Sequence, residues 1–329
     1  MARRIVLARY PQGAPIAEDF AVETFDPVEP DEGELLVAVS HLSMDPFPRL
    51  RMNVRSAAGR PMRLGATVEG RGVGRVLRSR APGWSAGDWL IGEPGWQSVA
   101  CLAADRCEKI DYAAGSPSLH LGALGPSGLT AYFTTVALGG LREGETLAFT
   151  PAAGSVGSIA GQIARILGAR TVGIASTGQL AALSGFGYDA GVALDGLADL
   201  GAACPDGIDL FIDGVGGAVH EGILPRVNLR ARIVLLGFIA SYNEVGPPRY
   251  GNAASVLMKR ARMEGFLLAD WRDRFDEART ALSGWIAEGR LRNVETVWPG
   301  LEAAPAAFAA LFGEALPGKQ IVTIEENLS

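Results

Sequence analysis

Between residues 146 and 175 the apolar and polar positions change period three times. LAFT (147–150) is an apolar run that ends in a turn of small residues. GSIAGQIARILG (157–168) carries helical spacing, and TVGIA (171–175) is a second apolar run. Strand, glycine turn, helix, strand is the succession this predicts. Further strand candidates lie at 208–213 (IDLFID) and 231–237 (ARIVLLG), with helical spacing between, as in QLAALSGFG at 179–187. Alternating strands and helices over about 145–290 predict a parallel, doubly wound α/β sheet.

Both ends of the chain follow a different pattern. ELLVAVSHLSMDP (34–46) alternates like a half-buried strand. Residues 68–102 break into short strands joined by turns such as Ala81-Pro82-Gly83 and Gly92–Gly95, which predicts an antiparallel β-rich domain. GLTAYFTTVALGGL (128–141) has helical character. ALPGKQIVTIEE (315–326) ends in a short strand placed to return to the first domain.

The turn after the first αβ strand is Ala152-Ala153-Gly154-Ser155-Val156-Gly157, an A-x-G-x-x-G form of the dinucleotide fingerprint. Gly154 lets the backbone approach a pyrophosphate, and Gly157 lets the helix lie close to the strand. The helix N-terminus offers free N–H groups and a positive dipole end to phosphates. Ligands of such sheets bind at the carboxyl ends of the strands. The turns Asp213–Gly217 and Gly237–Tyr242, each after a strand, are therefore expected to face the same crevice.

Composition narrows the partners. Of 329 residues, 48% are hydrophobic and 20% charged, a globular balance, and the net charge is −6. No basic run with interleaved aromatics points to nucleic acid. No apolar run approaches the roughly 20 residues of a membrane span, and the first residues are too short an apolar stretch for a signal peptide. The cytoplasm is the expected compartment. Cys101, Cys107 and Cys204 read as reduced thiols without zinc-site spacing. His41, His120 and His220 read as surface or supporting histidines rather than ligands, so the protein is expected to be metal-free.

Seven ordered segments carry a resemblance. LSMDPFPRLRM (42–52), GPSGLTAYF (125–133), the AAGSVGSIAGQIARILGARTVGIA segment, IDLFIDGVGG (208–217), GFIASYN (237–243), RMEGFLL (262–268) and GLEAAPAAFAALF with GKQIV (300–322) follow one another. The chain resembles the medium-chain dehydrogenase/reductase superfamily. Within it, it is similar to the zinc-free branch of prostaglandin reductases, leukotriene hydroxydehydrogenases, 2-alkenal double-bond reductases and curcumin-reductase-like enzymes. The resemblance implies a GroES-like β domain from residues 1–122 and 295–329 and a Rossmann domain over 123–294. It also implies NADPH as cofactor, reduction of the carbon–carbon double bond of an enone or enal, and a homodimer. The RMEGFLL strand is expected either to pair across a dimer interface or to lie inside the sheet against the cofactor.

The cofactor residues this implies are Ala153, Gly154, Ser155, Val156 and Gly157 in the turn, and Ser176, Thr177 and Gln179 after the second strand. Gly214 and Gly237, Phe238, Ile239 and Tyr242 come from the later turns. Thr130 and Phe266, Leu267 and Leu268 complete the set. Several positions depart from the family pattern: Phe47 for a common Tyr, Gly214 and Leu316 for Asn, Leu194 for Tyr, and Gln179 for a Lys that grips the 2′-phosphate of NADPH. An NAD site places an acid near the end of the second strand. Ser176 and Thr177 supply none, yet no Lys or Arg lies between Arg170 and Arg226. NADPH is expected, with NADH possible.

With no metal, hydroxyl groups are the expected donors to a developing enolate. Tyr242 and Tyr250 are the candidate catalytic residues, each with a structural alternative. Phe47 and Met52 are expected to shape the substrate pocket together with both tyrosines, Asp45 to fix the turn before Pro46, and Glu69 to lie at the cleft floor or stabilise a turn. Two other functions remain open at this stage: a quinone reductase, and a nucleotide-binding protein with little catalysis.

Overall fold

The computed structural model describes residues 1–53, 59–110, 116–244, 250–313 and 316–324. The chain divides into two compact units. One holds Met1–Leu121, Glu295–Ala315 and Lys319–Ser329, the other Gly122–Val294 with Leu316–Gly318.

The first unit is β-rich. β1 (Ala2–Leu7) and β2 (Phe20–Phe25) form an antiparallel pair. β3 (Glu34–Ser43), β4 (Gly72–Ser79), β5 (Trp89–Gly92), β6 (Val99–Ala103) and β7 (Glu108–Ile110) follow. β3 is buried almost without interruption rather than on alternate residues. One of its edges pairs with β4, and the other is shared between β6 and a strand from the C-terminus; Leu35 and Val37 join one buried cluster of the unit and Leu36 another. Its core gathers Ile5, Leu42, Met44, Trp96 and Phe308, with Trp96 edge-on to Phe308 at 5.3 Å.

The chain then enters the second unit. α1 (Pro126–Tyr132) runs into a single π turn at Phe133–Ala137, so the helical pattern over 128–141 starts earlier and ends in a wider turn than its spacing suggests. β8 (Thr146–Thr150), α2 (Gly157–Ile166), β9 (Arg170–Ala175), β10 (Ala190–Ala193), α3 (Leu200–Ala203) and β11 (Ile208–Asp213) come next. α4 (Gly217–Ile223), β12 (Val227–Leu235), α5 (Ala253–Lys259), β13 (Arg262–Gly265) and α6 (Phe275–Ala287) complete the unit. The stretch 177–186 forms 3-10 turns rather than an α-helix. Gly178 and Gly185 weaken α propensity, and Gly187 ends the segment in the left-handed region at φ 83°. β12 begins four residues before the expected strand and stops two residues short of Gly237.

The six strands order as β10-β9-β8-β11-β12-β13, and every pair is parallel. Counted from β8 this is 3-2-1-4-5-6, the doubly wound order with its switch point between β8 and β11. Among the described residues β13 pairs with β12 alone and forms one edge, so the interior position considered for RMEGFLL is not the one it takes. After α6 the chain returns to the first unit through β14 (Glu295–Pro299), α7 (Ala304–Ala310) and β15 (Lys319–Thr323). β15 runs antiparallel to β3 and parallel to β14.

Candidate active site at the sheet switch point

β8 and β11 end side by side, with Thr150 in register with Asp213. Both chains turn away there, and the Gly214 N–H donates to the Thr150 carbonyl at 2.7 Å. The crevice outside these two strand ends is where a doubly wound sheet binds its ligand.

On the β8 side, the turn Pro151–Val156 leads into α2. A Cβ at Gly157 would stand 2.5 Å from the Ala152 carbonyl oxygen and 2.6 Å from that of Pro151, so the start of the helix meets the turn after β8 at a distance only glycine permits. A buried tyrosine outside the expected set supports this corner: Tyr188 donates its hydroxyl to the Gly157 carbonyl at 2.8 Å. Gly154 differs. A Cβ there would meet nothing closer than 3.4 Å, so the fold itself leaves room that an approaching ligand can use. Gly154, Ser155 and Val156 are partly exposed, while Ala153 and Gly157 are buried. No side chain caps the N-terminus of α2. Open glycine space beside an uncapped ten-residue helix fits a pyrophosphate.

The second strand, β9, ends at Ala175. The Ser176 hydroxyl donates to Gln179 Oε1 at 3.0 Å, Thr177 is exposed, and the Leu194 N–H is held by the Ala175 carbonyl at 2.9 Å. This end of the crevice is polar and uncharged.

On the β11 side, Asp213 is fully buried and organises its turn. Its Oδ1 accepts the N–H groups of Val215 (2.8 Å) and Gly216 (3.0 Å). Its Oδ2 accepts His220 Nδ1 at 2.8 Å. His220 is fully buried too, which excludes the surface position that was one of the two expected for it and leaves the supporting one. An aspartate seven residues earlier, across a strand–turn–helix corner, is the sequence signal that would have found it.

The turn after β12 is tied to this one by two backbone hydrogen bonds, Ile239 N–H to the Gly214 carbonyl (3.1 Å) and Ala240 N–H to that of Val215 (3.2 Å). Here the two tyrosines part company. Tyr250 donates its hydroxyl to the Gly237 carbonyl at 2.6 Å. Tyr242 lies edge-on to Phe238 at 5.1 Å, and its hydroxyl has no hydrogen-bond partner among the described residues. Burial raises the pKa of both phenols, so each keeps its proton at neutral pH. Residues 245–249 of the loop between them lie outside the described residues.

Phe266 is buried at the end of β13, with its N–H on the Leu235 carbonyl (3.0 Å), while Leu267 is exposed and Leu268 half-buried. Thr130 is half-buried on α1.

The first-unit candidates have other surroundings. Met52 is fully buried in the core beside Met44 and Met62, a packing position rather than a pocket wall. Phe47 is 56% exposed. Asp45 accepts the Ser43 hydroxyl (2.6 Å) and Lys319 Nζ (2.8 Å), so its carboxylate anchors a buried lysine. Burial pushes the Asp45 carboxyl up, but the Lys319 charge and hydrogen bond, Ser43 and Arg71 outweigh it and hold it below its ordinary value. Glu69 is paired with Arg51 at 2.5 Å. Among the described residues no three His, Cys, Asp or Glu side chains come together as a metal site.

Comparisons with known proteins agree with this geometry. Residues 3–110 match a family described as the N-terminal domain of oxidoreductase, and residues 155–284 one described as zinc-binding dehydrogenase. The chain is 37% identical to an NADPH-dependent curcumin reductase of Escherichia coli over 98% of its own length and 96% of that protein's. It is 32% identical to prostaglandin reductase 1 of Rattus norvegicus, covering 98% of each. The crystal structure of CurA from Vibrio vulnificus in complex with NADPH superposes with a TM-score of 0.91 at 34% identity, over 98% of this chain and 99% of that one. This chain belongs to the medium-chain dehydrogenase/reductase superfamily, in the zinc-independent branch that holds the curcumin and prostaglandin reductases.

Proposed function

We propose that the protein reduces the carbon–carbon double bond of an α,β-unsaturated ketone or aldehyde with NADPH. The observation that carries this is the open switch-point crevice, with its glycine turn and uncapped helix, in a chain that matches an NADPH-bound CurA over nearly its full length. Bound NADPH would supply the hydride that an enone accepts at its β-carbon, and solvent would supply the proton that the resulting enolate takes at its α-carbon. The residues of this chain bind and orient. The Gly154–Gly157 turn and the α2 N-terminus hold the pyrophosphate. Ser176, Thr177 and Gln179 meet the adenosine end with neutral hydrogen-bonding groups. The turns at Gly214 and at Gly237–Tyr242, together with Phe266–Leu268 and Thr130, surround the nicotinamide end.

Of the two tyrosines, Tyr242 has the uncommitted hydroxyl. Kept protonated by burial, it donates a hydrogen bond to the carbonyl oxygen as negative charge develops there. Phe47 contributes an apolar surface to substrate binding. The free edge of β13 and the exposed Leu257 and Met258 of α5, 75% and 72% exposed, support a homodimer formed through this edge, which sedimentation analysis would test. No helix among the described residues is long and apolar enough to cross a membrane. The three cysteines are free thiols, which supports a reducing compartment such as the cytoplasm.

A panel of one enal, one aryl enone and one quinone tests the proposal. NADPH oxidation with the enal or enone, giving the saturated carbonyl product, is expected. Oxidation with the quinone alone, or NADPH binding with no oxidation, would overturn it.

A further inference from the structure

His220 is the only histidine among the described residues with no exposed surface, and its surroundings are unusual. Nδ1 is hydrogen-bonded to Asp213 Oδ2 at 2.8 Å, while Oδ1 of the same group accepts the N–H groups of Val215 and Gly216. Nε2 is buried and has no hydrogen-bond partner among the described residues. A buried polar atom without a partner costs free energy that a phenylalanine at this position would avoid. The imidazole lies between the Phe211 ring (5.9 Å) and the Tyr250 ring, which meets it edge-on at 5.1 Å. Tyr250 then reaches the Gly237 carbonyl.

A continuous path results. The Asp213 carboxylate sets the turn at Val215 and Gly216, His220 holds the second oxygen of that carboxylate, and Tyr250 packs on His220 while holding the turn after β12. A Cβ at Gly216 would meet Phe238 Cβ at 3.4 Å and Tyr250 Cζ at 3.5 Å, so Phe238 and the Tyr250 ring also border the first turn. Gly216 and Gly217 sit in the left-handed region at φ 73° and 59°, a conformation these contacts maintain.

We propose that His220 is a positioning residue for the cofactor, fixing the 213–217 turn to the 237–242 turn through Asp213 on one side and Tyr250 on the other. It touches no reacting atom. This rests on the proposed NADPH site and goes beyond it by assigning the geometry of the nicotinamide end to a buried Asp–His pair rather than to backbone contacts alone. It also gives Tyr250 a holding role instead of a catalytic one.

Two substitutions separate the parts of the path. His220→Asn puts an amide nitrogen where Nδ1 stands and keeps the hydrogen bond to Asp213. His220→Phe keeps a ring against Tyr250 and leaves Asp213 Oδ2 without its partner. The readout is the NADPH dissociation constant from cofactor fluorescence, with kcat and KM for NADPH measured separately and Tm recorded for each protein.

His220→Phe should weaken NADPH binding by about tenfold or more. Its KM for NADPH should rise in parallel and its kcat at saturating NADPH should change much less. His220→Asn should recover part of the binding, because it restores the contact to Asp213 but not the ring against Tyr250. Equal NADPH affinity in His220→Phe and the wild type, or an equal loss in both variants, would overturn the inference. Should His220→Phe fail to fold, Tyr250→Phe carries the test, because it removes only the hydroxyl on Gly237. A rise of about threefold or more in the dissociation constant is expected for it, and no change counts against the path. A folded wild-type chain that does not bind NADPH would instead overturn the proposed function itself.

Discussion

Gly157 and Ala152 approach so closely that a Cβ on Gly157 would lie 2.5 Å from the Ala152 carbonyl oxygen, whereas one on Gly154 would meet nothing nearer than 3.4 Å. The first glycine serves the fold and the second is free to serve a ligand. Gly157→Ala should therefore destabilise the chain by about 2 kcal/mol. Gly154→Ala should leave Tm within about 2 °C and weaken NADPH binding by about tenfold or more. Thermal melts with cofactor titrations check this, and a Gly154→Ala protein that binds NADPH normally would contradict it.

The neutral Ser176–Gln179 pair at the end of β9 leaves the 2′-phosphate without a charged partner in that turn. Gln179→Lys should tighten NADPH binding by about fivefold and leave NADH binding unchanged. Parallel titrations with the two nucleotides would show it. An equal change for both would mean that position 179 does not face the 2′ position.

Tyr242→Phe removes the hydroxyl without a partner and keeps the ring against Phe238. If that hydroxyl donates to the developing enolate, kcat/KM should fall by about a hundredfold. A change within about twofold, less than 0.5 kcal/mol of transition-state energy, would leave Tyr242 a purely structural role.

Lys319 is buried with its ammonium on Asp45 and the Met44 carbonyl, each at 2.8 Å. Lys319→Met should cost about 2 kcal/mol, below the range for a fully buried pair because Asp45 keeps some exposure. The Asp45 carboxyl is held below its ordinary value, so its contribution is fully present above the unfolded-state pKa. That contribution disappears as pH falls through the lower folded-state value. The stability gap between wild type and Asp45→Asn should be wide near neutrality and close as pH falls through that lowered value. Denaturant melts across pH test this, and a gap that widens on acidification would contradict it.

Local patterns announced much of this architecture. β8, its glycine turn and α2 show in the sequence because each has its own period and the glycines mark the corner. The parallel sheet follows from repeating that unit. What the sequence withheld depends on contacts between distant segments. β3 alternates in sequence yet is buried on both faces, because Leu35 and Val37 pack with Val76 and Leu90 while Leu36 packs with Ala2 and Val99. Met52 looked like a pocket residue and is core, fully buried in the same cluster as Met44, Met62, Trp96 and Phe308. The 177–186 stretch kept a helical pattern while its glycines favoured the tighter 3-10 turn. His220 looked isolated until α4 turned it back under β11 onto Asp213.

The most direct test of the function follows a label. Reduction of an aryl enone with NADPH carrying deuterium at the transferable position of its nicotinamide should place one deuterium on the β-carbon of the saturated ketone, as read by NMR. Deuterium on the hydroxyl-bearing carbon of an allylic alcohol, or a recovered enone with no label transferred, would contradict the proposed reaction.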